Sequence, residues 1–185
     1  MQKKESKLVL TTKQIVLMAL MIAISIVLGK FLALNFTDMI RVSFENLPII
    51  LSAIILGPIR GAIVALVADL LGCFLRGYAI NPVVTIGAIL LALIVGLLFK
   101  YLPIKSQFTK LTVSILPAHF IASVVIKTIG LASFYLSQYN MGFWTLFLLR
   151  FSIYGLTATC EIIIIYALFK SKAISSLVAK LQKGE

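Results

Sequence analysis

Acidic residues are scarce in this chain: six Asp and Glu stand among 185 residues, against 17 Lys and Arg. Charged residues make up only 12% of it, where a soluble domain carries about 25%. That shortage excludes an ordinary water-facing domain of this length. Cysteine is nearly missing too. Cys73 and Cys160 both fall in apolar runs and read as small apolar residues, with no disulfide or metal pattern. The phosphate-cradling pattern GxxxxGK[ST] is absent, so the chain should not hydrolyse ATP by itself. HExxH, GxSxG and paired-cysteine motifs are absent as well. No stretch resembles a domain linker, and no inverted repeat of the kind found in many secondary carriers is visible.

What is present is hydrophobic. Apolar residues reach 61%, and the mean hydropathy is +1.11. Apolar stretches of about 20 residues recur from end to end, the length that crosses a hydrocarbon core as a helix. Six spans are predicted, at about 13–34, 46–57, 61–78, 82–101, 111–133 and 144–169. The expected fold is therefore an all-α membrane protein, a bundle of six transmembrane helices forming one domain over 1–185. The first run exceeds the 7–15 residues of a signal-peptide core and stays as a mature helix.

The basic excess is a topology signal. Lysines 3, 4, 7 and 13, Arg60, Lys100, Lys105, Lys110 and lysines 170, 172, 180 and 183 put 12 of the 17 cations on one side. The positive-inside rule makes that side cytoplasmic, so both termini are expected in the cytoplasm. Nothing is left over to suggest nucleic acid. The second span is short, on the order of 18 Å as a helix against a core of about 30 Å. It should begin with Asn46 as N-cap and Pro48 in its first turn. "LGPIRG", Leu56 to Gly61, reads as the tight turn after it. The outside loops Asn35–Asn46, Arg76–Pro82 and Ser133–Trp144 carry aromatic and polar groups.

Polar side chains inside the spans are the candidates for function. "SVVIKTIGLASF" places Lys127 where a charge costs roughly 2.5–3.5 kcal/mol at the bilayer centre. Counting from helix ends puts Lys127 and Arg150 roughly 9 Å below the outer surface. Arg76, Asn81 and Thr85 lie near the same level. Asp69, His119 and Glu161 form a deeper layer. Asp69 and Arg76 share a helix face, as do Arg150, Tyr154 and Glu161. Each has a plainer role open to it. Lys127 and Arg76 could snorkel to the headgroups, Asn81 could cap a helix, and the deep layer could be structural. Together, cations and amides beneath aromatic loops suggest a pocket for an anionic, ring-containing solute. On the first span "ALMIA" sets Ala19 and Ala23 four apart, and Ser25 and Gly29 repeat that spacing on another face. One face could pack inward and the other against a partner.

These features resemble the substrate-binding S components of energy-coupling factor (ECF) vitamin transporters, six-helix proteins of the bacterial cell membrane. "RVSFENLPIILSAIILGPIRGAIVALVADLLG" (Arg41–Gly72) looks like that family's segment from the first outside loop through the third helix. "GYAINPVVTIGA", "VVIKTIG" and "LLRFSIYG" look like its folate-type members. The resemblance implies a vitamin pocket in the outer half and no cofactor in this chain. It also implies docking through Ala19 and Ala23 on a transmembrane T component driven by two cytoplasmic ATPases, which use the ATP. Folate would then meet Asn81, Thr85 or a deep carboxylate with its pterin edge. It would stack on Phe44, Tyr78 or Tyr154 and pair its glutamate tail with Arg76 or Arg41, while Lys127 and Arg150 hold the rim or a ring edge. The alternatives are an S component for riboflavin, thiamine or a queuosine precursor; a self-sufficient proton-coupled carrier using Asp69, His119 and Glu161; and a membrane enzyme using His119 and Glu161.

Overall fold

The computed structural model describes residues 11–35, 41–132 and 142–171, with the side chains of residues 35 and 41 left out. The aromatic loop segments 36–40 and 133–141, and the basic residues Lys3, Lys4, Lys7, Lys172, Lys180 and Lys183, lie outside the described residues. Six helices fill what is described. They are α1 (Thr12–Phe31), α2 (Asn46–Leu56), α3 (Pro58–Arg76), α4 (Pro82–Tyr101), α5 (Gln107–Ala132) and α6 (Phe143–Lys170). All but α2 are long and apolar enough to cross a membrane. A two-residue antiparallel ladder, β1 (Leu34–Asn35) with β2 (Arg41–Val42), joins α1 to α2 and ends α1 earlier than its apolar run does.

Local chemistry sets the helix starts. Thr11 opens α1 with a capping box: its hydroxyl accepts from the Gln14 N–H, and Gln14 Oε1 accepts from the Thr11 N–H. Asn81 Oδ1 accepts from the N–H groups of Val83 and Val84 at the head of α4. Its amide also donates to the Gly130 carbonyl at 2.6 Å, which ties the start of α4 to the end of α5. Asn46, expected to cap α2, is instead its first helical residue and is buried, with Glu45 in the flanking position. The expected six-residue turn between α2 and α3 shrinks to Gly57, whose φ of 96° suits glycine. Proline tolerates the N1 position, so α3 starts at Pro58, three residues before the predicted Gly61.

Every residue of α2 except Leu47 is buried. A helix that is apolar all round belongs in a core, and this one is the axis around which α1, α3 and α4 pack. Small residues permit the close approach. A methyl group added at Gly61 would lie 2.6 Å from Ala53 Cα, and one at Gly96 would lie 2.7 Å from Pro58 Cα. Neighbouring helices run antiparallel, as Asn81–Gly130 shows for α4 and α5, and the Phe108–Tyr166 ring contact at 5.4 Å for α5 and α6. The ends of α1, α3 and α5 and the starts of α2, α4 and α6 therefore meet at one end of the bundle. There α2 falls short: it has eight fewer residues than α3, or ~12 Å of helix.

Two helices leave α geometry, α1 at this end and α5 from its midpoint. Val27–Phe31 in α1 and His119–Ile126 in α5 are π-helical, the latter beginning two residues after Pro117, whose missing N–H interrupts the regular bonding. Gly96→Ala should lower the thermal midpoint of the purified chain, with a cost of about 1–3 kcal/mol from forced helix separation. Gly155→Ala, where nothing lies within 4 Å, should leave it unchanged or raise it.

Candidate functional site

The buried lysine at position 127 has a carboxylate partner that its sequence neighbourhood does not disclose. Glu45, just before α2, lies 3.8 Å from Lys127 Nζ and 4.0 Å from Lys30 Nζ. The two lysine side chains are 4% and 10% exposed, and that of Glu45 is 26% exposed. Three glycines make room for the three stems. An added methyl at Gly29 would strike Glu45, one at Gly72 would strike Lys30, and one at Gly87 would strike Lys127, each within 2.7 Å. The Lys30 ammonium also stands 5.9 Å over the Tyr78 ring.

A second carboxylate shares this chamber. Asp69 Oδ2 accepts a 2.6 Å hydrogen bond from the Thr85 hydroxyl, which also has the Asn81 carbonyl 3.2 Å away. Asp69 lines one space with Ser25, Lys30, Glu45, Asn46 and Lys127, and the cavity left among them is only ≈ 10 Å³. That is room for at most a single water. Lys30, Lys127, Glu45 and Asp69 sum to zero if all are ionised.

A separate polar seam runs between α5 and α6. Arg150 is buried; its Nη2 donates to the Tyr154 hydroxyl at 3.2 Å and the Ser123 carbonyl at 3.5 Å, and its guanidinium lies 5.1 Å over the Tyr154 ring. Among the described residues no carboxylate lies within ion-pair reach of it. Further along, His119 Nε2 and Glu161 Oε2 are 2.7 Å apart and almost wholly buried. Arg150 Nε, Ser123 Oγ, His119 Nδ1 and Glu161 Oε1 have no hydrogen-bond partner among the described residues.

The structure thus brings Thr85 and Lys127 to one chamber, and Arg150 and Tyr154 to the seam beside it. Asp69 joins the chamber through Thr85 rather than forming one layer with His119 and Glu161. Tyr78 and Arg76 stand exposed at the rim, Arg76 over the Phe31 ring at 5.4 Å. Phe44 is half-buried next to Glu45, and the Arg41 side chain lies outside the described residues. Ala19 and Ala23 are exposed, whereas Ser25 and Gly29 face inward, where the Ser25 hydroxyl donates to the Glu45 carbonyl at 2.7 Å. Lys30 and Glu45 were not anticipated. Lys30 sits one residue from a helix end, the usual place of an interfacial lysine, and Glu45 reads as a loop residue. A wider space of ≈ 510 Å³ is lined, among the described residues, by α6 alone.

Residues 9–175 match the family described as the ECF-type riboflavin transporter, S component, and the chain belongs to it. It is thus a multi-pass membrane subunit of a transporter, not an enzyme, as its sequence implied. A crystal structure described as FolT bound with folic acid shares the fold at a TM-score of 0.68 and 24% identity, covering 84% of this chain and 90% of that one. Another, described as the structure and mechanism of the S component of a bacterial ECF transporter, gives a TM-score of 0.60 at 22% identity, covering 85% of this chain and 94% of that one. No curated protein sequence matches the chain.

Removing one partner of a buried hydrogen-bonded pair leaves the other unsatisfied and should cost about 1–3 kcal/mol or more, whereas replacing both with apolar groups of similar shape costs much less. His119→Leu alone should therefore lower the thermal midpoint sharply, and His119→Leu with Glu161→Met should recover most of the loss.

Proposed function

We propose that this S component captures folate from outside the cell and passes it to an energising module. The observation that carries the reading is the burial of three cations, Lys30, Lys127 and Arg150, at one end of the bundle. Arg150 rests on neutral groups among the described residues. Guanidinium stays charged and uses several acceptors, so a ligand oxygen would complete its shell. Folate supplies both carboxylates and a pterin edge of donors and acceptors; riboflavin is neutral.

The binding set comprises Arg41, Phe44, Arg76, Tyr78, Asn81, Thr85, Lys127, Arg150 and Tyr154. Thr85 and Lys127 come from the chamber, Arg150 and Tyr154 from the seam, and the aromatic and basic rim residues from above. The ligand would reach the chamber from the end of the bundle at which α2 stops short of α3. With both termini cytoplasmic, that end faces outside, and the charge of Lys13, Arg60, Lys100, Lys105, Lys110 and Lys170 at the opposite end agrees with the positive-inside rule. Ala19 and Ala23, exposed on α1, would let a helix of a T component approach closely. Two cytoplasmic ATPases would hydrolyse the ATP, and the single domain 1–185 would need no cofactor of its own.

The family description favours riboflavin as the second reading, and competition decides between them. The purified chain should bind folate stoichiometrically, without displacement by riboflavin or thiamine. Lys127→Ala and Arg150→Ala, correctly inserted, should each weaken folate by at least about tenfold, or 1.4 kcal/mol. Binding of riboflavin alone would keep the architecture and replace the ligand. Equal folate affinity in both variants would remove the cations from the site.

A further inference from the structure

Asn46 does nothing for the helix it begins. It is the first helical residue of α2 and only 2% exposed, yet its Oδ1 has no hydrogen-bond partner among the described residues. Ser52, the other polar side chain of α2, is satisfied by donating to the Ile49 carbonyl at 2.7 Å. A buried acceptor left unmatched costs about 1–3 kcal/mol, so an apolar residue would serve this enclosed helix better. Of the buried side-chain atoms without a partner among the described residues, Asn46 Oδ1 alone belongs to a residue that lines the chamber.

The space beside it is fixed in size and character. Glu45, Lys30 and Lys127 are seated against Gly29, Gly72 and Gly87, where an added methyl would come within 2.7 Å of them. They leave ≈ 10 Å³, about one water-sized sphere. A primary amino group, with its single heavy atom, occupies no more than that. Asp69 lines the same space; one of its oxygens accepts from Thr85, and a carboxylate has a second to offer. Two acceptors, from α2 and α3, thus border a cavity the size of one donor group. Asp69 and Glu45 are partly exposed, which gives a ligand its approach without displacing either.

We infer that Asn46 and Asp69 form an acceptor subsite for the primary amino group of a heteroaromatic ring. This rests on the folate reading and sharpens it: the amino edge of the ring enters the chamber, and the anionic tail stays at the rim. Folate carries such a group on its pterin, and riboflavin carries none. A ring carbonyl in its place would set oxygen against oxygen. Asn46 is therefore a specificity-determining residue in addition to the binding set given above.

The test uses the full chain in detergent with two probes, folate and a folate analogue carrying methyl in place of the 2-amino group. Wild type should bind the analogue at least about tenfold more weakly, because a site built around an N–H rejects a ligand that lacks it. Asn46→Leu should bring the two affinities together by weakening folate alone. The ratio is read within one folded protein, so a loss of stability does not move it. Where Asn46→Leu does not fold, Asp69→Asn keeps an oxygen for the Thr85 hydroxyl and turns the other acceptor into a donor, and should narrow the ratio in the same way. Equal affinity of wild type for both probes, or a wild-type ratio in either folded variant, would overturn the subsite and leave the folate reading intact. A well-folded wild type that binds neither probe would instead overturn the functional reading on which the inference rests.

Discussion

An ammonium group enclosed in a membrane bundle needs a counter-charge within a few ångströms, and here one carboxylate serves two of them. Glu45 lies within 4.0 Å of both Lys30 and Lys127. The arrangement draws on every helix around it. α1 and α5 bring the lysines, α2 must begin deep enough to place Glu45 at their level, and Gly72 of α3 and Gly87 of α4 must lack side chains. The shortness of α2 follows from the same constraint. A longer α2 would carry its first turn past the lysines and take Glu45 out of their reach.

The buried polar groups are kept in two compartments with different characters. The chamber holds four ionisable groups near charge balance, in contacts of 3.8–4.0 Å and one tight bond from Thr85 to Asp69. The seam holds a single close pair, His119 with Glu161 at 2.7 Å, and an arginine on neutral acceptors. A short, fully enclosed pair fixes the packing of α5 on α6 and resists exchange. The two compartments thus differ in how closely their charged and polar groups are paired.

Much of the architecture was legible in the sequence, because span length and charge asymmetry are strong signals. The apolar run at 46–57 already looked too short to cross, and the Gly-Pro step marked its end. Lys127 and Arg150 stood out as cations in apolar runs. The errors came from depth. Starting α3 at Gly61 instead of Pro58 misplaces its residues by three positions, or ~4.5 Å along the axis. Asp69 was thereby grouped with His119 and Glu161 when it belongs with Thr85. Lys30 and Glu45 were missed because their pairing is made across elements by π-helical turns and a two-residue ladder, which leave no periodic trace in sequence. The loop aromatics at 36–40 and 133–141 lie outside the described residues.

The chamber in the proposed site holds a carboxylate of its own, and the strength of its contacts would set how far it opposes an anionic ligand. If the paired state of Glu45 were favoured tenfold over the released one, the apparent affinity for an anionic ligand would fall by about that factor. A bidentate, wholly buried pair would lower it far more, since breaking such pairs costs several kcal/mol. No carboxylate at all would leave two enclosed ammonium groups repelling each other, and an empty site that resists folding. Contacts near 4 Å with a side chain about one-quarter exposed fall between these limits. They are close enough to neutralise the lysines, and the missing side chain of Gly29 leaves room for the Glu45 stem between them.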